Sequence, residues 1–108
     1  MTTYKNPRSL SHREFMTEVL REDPELTATY LREAFASLGK PEEREVGMLG
    51  IRNVAQAYGG LGKIAEDAGI SRESLYRALS PKGNPTLNTL LTVLGAVGMR
   101  LSVEPVAA

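Results

Sequence analysis

Four side chains between positions 72 and 77 carry most of the chemistry in this sequence. Arg72, Glu73, Tyr76 and Arg77 are two guanidiniums, a carboxylate and a phenol. Their spacing places them on the outer surface of a short helix whose other face is Leu75, Ala78 and Leu79. Arg72, at the helix's entry to the major groove, is expected to pair bidentately with guanine O6 and N7, and Glu73 could accept from a cytosine amino group. Tyr76 and Arg77, one turn on, are placed to reach a base edge, a thymine methyl or a phosphate. Glu73 has a plainer alternative, an ion pair with Arg77 four residues along. Lys63, Lys82 and Asn84 flank this stretch as candidate phosphate ligands, aided by the amides at the helix start. Ser71 and Ser74 complete the candidate set in the first turn.

The elements that must position these groups lie between Leu61 and Ser80. Ile64, Ala65 and Ala68 recur at helical spacing. Gly69 follows, where glycine alone takes a left-handed conformation without steric cost. Ile70 is expected to plug the corner. Ser71 is a ready N-cap for the second helix, and Glu73 suits its dipole. Helix, Gly-containing turn and helix with a cationic outer face is the layout of a DNA-binding helix-turn-helix. A purely structural helical corner has the same two helices around a glycine. The continuation favours the DNA reading. Pro81-Lys82-Gly83-Asn84-Pro85-Thr86 leads into an amphipathic helix with Leu87, Leu90, Leu91, Leu94 and Val97. This order resembles the Cro/repressor-type helix-turn-helix family, where a Gly-Asn-Pro-Thr/Ser turn precedes the last helix.

Other function classes find little support. The chain has 108 residues and no cysteine, enough for one modest core and without thiolate chemistry. There is no Gly-rich phosphate loop followed by lysine, and His12 is the single histidine. Glu42-Glu43 and Glu66-Asp67 are adjacent pairs on expected outer faces. No catalytic residue, metal or cofactor is therefore expected. The sequence also lacks a bilayer-spanning run and the apolar core of a signal peptide, so a cytoplasmic protein is the expectation.

Net charge is zero but unevenly spread. From Arg52 to Arg100 there are six Lys/Arg against three acids, whereas from Ser11 to Glu45 there are nine acids against five bases. The basic half suits phosphate. The acidic half is either a solvated surface or a face for a basic partner.

In chain order, residues 1–10 read as a loose arm. Residues 11–40 read as two helices, a possible partner-binding unit. Ser11 and Glu14 form a capping box ahead of Phe15, Val19 and Leu20. His12 at this helix start is expected to face solvent. Asp23-Pro24 starts the second helix, carrying Leu26, Tyr30, Leu31, Ala34, Phe35 and Leu38. Residues 41–98 read as the DNA-binding domain. Its first helix should bury Val46, Leu49, Val54, Ala57 and Tyr58. Gly47 and Gly50, three apart, cost about 1 kcal/mol each against alanine, and close approach of a neighbouring helix explains them. The core of the domain is expected at Ile64, Ala68, Ile70, Leu75, Leu90, Leu91 and Leu94. In residues 99–108, Met99 to Val103 alternates like a strand and would pair with a second copy or a partner's sheet edge. The resulting fold class is an all-α Cro/repressor-like helix-turn-helix bundle with two extra N-terminal helices and a short C-terminal β-strand.

The block IAEDAGISRESLYRALSPKGNPTLNTLLTVLGAVGMRLSVEP narrows the resemblance. With ELTATYLREAF upstream, it is similar to HigA-like antidote (antitoxin) proteins of bacterial addiction modules, over roughly Val19 to Pro105. The resemblance implies a RelE-like toxin as partner, a small basic ribonuclease that the antitoxin neutralises. It also implies a repressor of its own operon, binding a double-stranded DNA operator. A homodimer joined partly through the Met99–Val103 run would place half-sites about one helical turn apart. Leu61 departs from the pattern, since many helix-turn-helix proteins place a polar phosphate-contacting residue there; a backbone amide or Lys63 would have to serve. The rival reading is a protein-binding adapter that kept the scaffold and lost DNA recognition.

Overall fold

The computed structural model describes residues 12–107, with side chains from Met16 onward. The N-terminal arm, the Ser11–Glu14 capping box and the side chains of His12 and Phe15 lie outside the described residues. Six α-helices follow one another: α1 (His12–Glu22), α2 (Pro24–Leu38), α3 (Arg44–Ala57), α4 (Leu61–Ala68), α5 (Arg72–Ala78) and α6 (Leu87–Ala96). A 3-10 turn, Pro41–Glu43, precedes α3.

Local chemistry accounts for most of the boundaries. Asp23 accepts from the Leu26 amide at 3.0 Å with Pro24 at the first helical position, so α2 starts where its orphan amides are met. Gly69 has φ +70°, and the Ile70 amide donates back to the Ala65 carbonyl at 3.1 Å, which closes α4 and reverses the chain. Ser71 and Thr86 cap α5 and α6 by accepting from the Ser74 and Thr89 amides.

Helices α2 and α3 meet backbone to backbone. A Cβ added to Gly47 would lie 2.5 Å from the Ala34 carbonyl oxygen, and one on Gly50 would lie 3.0 Å from the Ala34 Cβ. Close approach is thus what the two glycines provide, as their spacing suggested. That contact sets the rotation of α3, and it overturns part of the expected core. Met48, Ile51, Val54, Ala55 and Ala57 are buried, whereas Val46 and Leu49 are 66% and 51% exposed. Turning the glycines toward α2 turns those two outward.

Where α1 ends, its last carbonyls have no partner within the helix. The Leu20 carbonyl accepts from Thr27 Oγ1 at 2.7 Å and from the Tyr58 hydroxyl at 3.1 Å. The two hydroxyls are themselves 3.0 Å apart, and Thr27 is fully buried. This knot ties α1, α2 and the end of α3 together.

The C-terminal half packs on this base through Leu61, Ile64, Ala65, Leu75, Leu79, Val93, Leu94 and Val97, all buried. Ile70 is exposed at the corner rather than plugging it, and Leu87 and Leu91 face outward from α6. Ala68 and Leu90 are half-buried.

The expected C-terminal strand is absent: among the described residues there is no β-structure, and 99–107 is irregular. Gly98 takes φ +76° and the Met99 amide donates to the Leu94 carbonyl at 2.8 Å, so the start of the alternating run is spent closing α6. Beyond it, Val103 and Val106 are almost fully exposed. Alternation makes a strand only where another edge supplies hydrogen-bond partners, and this helical chain offers none among its described residues.

Candidate nucleic-acid interface

Helix α5 is held by one face. Leu75 and Leu79 are buried beneath it, while Ser71, Arg72, Glu73, Ser74 and Arg77 are exposed and Tyr76 is half-buried. Ser71 is occupied locally: its Oγ accepts from the Ser74 amide at 3.0 Å and donates to Ser74 Oγ at 2.7 Å. Both serines therefore shape the start of the helix. Glu73 and Arg77, although four apart, form no ion pair among the described residues.

Seven of the nine candidate residues line the two flanks of α5, while Ser71 and Glu73 are exposed at its start and line neither. On the first, Arg72 folds back across α4. Its Cζ and Nε lie 3.2 Å from where a Cβ on Gly62 would sit, and its Cζ is 5.7 Å from the centre of the Tyr76 ring. Arg52, from α3, approaches the same ring to 5.2 Å. The Tyr76 phenol is held below the ordinary tyrosine value chiefly by hydrogen bonding from Arg72, a pull that partial burial opposes. The Arg72 charge, Gln56 and Arg52 add to the lowering. Lys63 and Glu66 line the same hollow. Lys63 Nζ sits 3.3 Å from Asp67 Oδ2, with both side chains well exposed, a pairing weak enough for a phosphate to replace.

On the second flank, Ser74, Arg77, Lys82 and Asn84 border a shallow depression around Gly83. A Cβ on Gly83 would collide with the carbonyl oxygens of Ala78 and Arg77, so the 81–86 loop lies flat on the end of α5. Arg44 donates from α3 to the Gly83 carbonyl and to Asn84 Oδ1, each at 3.2 Å. With Oδ1 so engaged, the amide nitrogen of Asn84 remains as a donor.

Arg44, Arg52, Gln56 and Gly62 were not among the residues singled out from sequence. Arg52 entered only as a unit of charge. Its ring partner is 24 positions away in the chain, and no local pattern pairs them.

Residues 11–105 match a family model described as "Probable addiction module antidote protein". The chain belongs to that family. An uncharacterized protein of Haemophilus influenzae (strain ATCC 51907 / DSM 11121 / KW20 / Rd) is 50% identical to this chain over 44 residues, which covers 41% of this chain and 45% of that protein. The match thus spans under half the length of that curated relative. No solved structure matches. Among the described residues of the antidote, no helix is long and apolar enough to cross a membrane.

Proposed function

We propose that this antidote is a sequence-specific DNA-binding repressor of the helix-turn-helix type, of the Cro/repressor kind, which neutralises a RelE-like ribonuclease toxin and represses its own operon. The observation that carries the reading is the pairing of α4 and α5 about the left-handed Gly69, with Leu75 and Leu79 anchoring one face of α5 and a polar, cationic face left open. A helix held by one side in this way enters a major groove with its opposite side. Lys63, Lys82, Asn84 and Arg77 are proposed to supply backbone contacts from both flanks, while Glu73 and neighbouring side chains face the bases. The acid-rich segment from Ser11 to Glu45 complements a small basic toxin. Two copies about a two-fold axis would read half-sites one helical turn apart.

Fluorescence anisotropy on the DNA upstream of the protein's own coding sequence tests the reading. Binding should fall steeply with salt, and Lys82→Ala should weaken operator and unrelated DNA alike while lowering the salt slope by about 1. Wild-type protein that shows no salt-dependent binding would leave the protein-binding adapter as the better account.

A further inference from the structure

We infer that Arg72 holds a backbone phosphate rather than a base edge, seated for that task by Gly62 and by the Tyr76 ring that it shares with Arg52. The inference rests on the DNA-binding reading above and assigns a role within that site.

Arg72 opens α5, where an arginine extended from the helix would reach into the groove. In the structure the guanidinium instead lies against the first turn of α4, with Cζ and Nε 3.2 Å from the place a Gly62 side chain would begin. Any other residue at 62 would occupy that place. Glycine is otherwise unfavourable within a helix, and Gly62 has no strained backbone conformation to justify it, since its φ is not among the positive values. What the missing side chain admits is the arginine.

The ring completes the seat. Tyr76 has Arg72 at 5.7 Å and Arg52 at 5.2 Å from its centre, both within cation–π reach. Two like charges on one ring repel each other, and Glu66 on the wall of the hollow is the nearby carboxylate not already paired with Lys63. An anion arriving at Arg72 in the hollow, beside Lys63, offsets that repulsion, which a neutral base edge does not. A guanidinium is moreover a planar fork of N–H donors whose geometry matches phosphate oxygens. Reading a base would require Arg72 to leave both Gly62 and the ring. The exposed Glu73, which lines neither flank, is better placed to discriminate sequence.

The test compares wild type, Arg72→Ala, Gly62→Leu and the double variant by anisotropy, on the protein's own upstream DNA and on a scrambled duplex, across a salt series. Arg72→Ala should weaken both duplexes by the same factor and lower the salt slope by about 1. Gly62→Leu should do the same, and adding it to Arg72→Ala should lower the slope no further. A loss confined to the native sequence with an unchanged slope would show base reading and overturn the inference, as would an additive Gly62→Leu effect. Thermal melts confirm that the variants fold. NMR titration of Tyr76 reads the seat without DNA: Gly62→Leu should return the phenol toward the ordinary tyrosine value, and an unmoved titration would overturn the seat. Wild type that binds neither duplex would refute the DNA reading itself, and the phosphate role with it, while the titration still reports whether the seat exists.

Discussion

The α2–α3 contact and the outer face of α5 use glycine for opposite ends. At Gly47 and Gly50 the missing side chains are filled by another helix, with Ala34 against both positions. At Gly62 the space is filled by a long cationic side chain that begins on a different helix. The first arrangement is closed, apolar and rigid, and it sets how α3 is rotated. The second is open to solvent and holds a charged group over a ring. A glycine inside a helix thus signals close approach, but only the neighbour determines whether that approach serves stability or a site.

Substitutions separate the two regions by size of effect. The largest is expected at Leu75, which is 1% exposed and joins α5 to the core. Leu75→Ala should destabilise the protein by about 2–5 kcal/mol in urea unfolding. A loss under about 0.5 kcal/mol would mean that α5 is not anchored by this face, and the contrast would collapse.

Gly47→Ala comes next, at about 1–3 kcal/mol, because the new methyl presses on the backbone of α2, which has little freedom to yield. Gly62→Ala is the matched control. Its methyl meets only the end of a flexible side chain, so stability should hold or rise by up to about 1 kcal/mol from helix propensity. Equal losses at both glycines would erase the distinction between them.

The smallest effect sharpens the account of the N-terminal base. Tyr58→Phe should cost about 1 kcal/mol, since Thr27 still donates to the Leu20 carbonyl. Thr27→Val should cost a similar amount, with Tyr58 as the remaining donor. The double variant should exceed the sum, because the carbonyl is then buried without either partner. Additivity in a double-mutant cycle would mean that the two hydroxyls act independently.

Helix boundaries and the shape of the α4–α5 turn were legible from residues because they depend on local chemistry. Asp23 and Pro24 start α2, Gly69 turns left-handed, and Ser71 caps α5, each through partners within a few positions. The inward leucines of α5, Leu75 and Leu79, followed from periodicity for the same reason. The addiction-module antidote part of the resemblance also lay in contiguous residues, and the match over 11–105 carries that part.

Which face each helix turns inward, and what the tail does, depended on partners remote in the chain. Val46 and Leu49 are exposed because Ala34 claims the glycine side of α3, and the hydropathy of those two residues says nothing about Ala34. Ile70, Leu87 and Leu91 have the same apolar character as their buried neighbours and differ only in what the fold leaves beside them. The Met99–Val103 alternation resembles a strand until an edge is sought for it, and the closing bond from Met99 to Leu94 takes its first amide. The meeting of Arg52 and Arg72 on Tyr76 joins α3 to α5 across some two dozen residues. Caps and turns are decided by neighbours in sequence, whereas helix rotation and side-chain seating are decided by which surfaces fold together. This sequence alone therefore determined where its helices begin and end, and only the tertiary structure decided how its arginines are held.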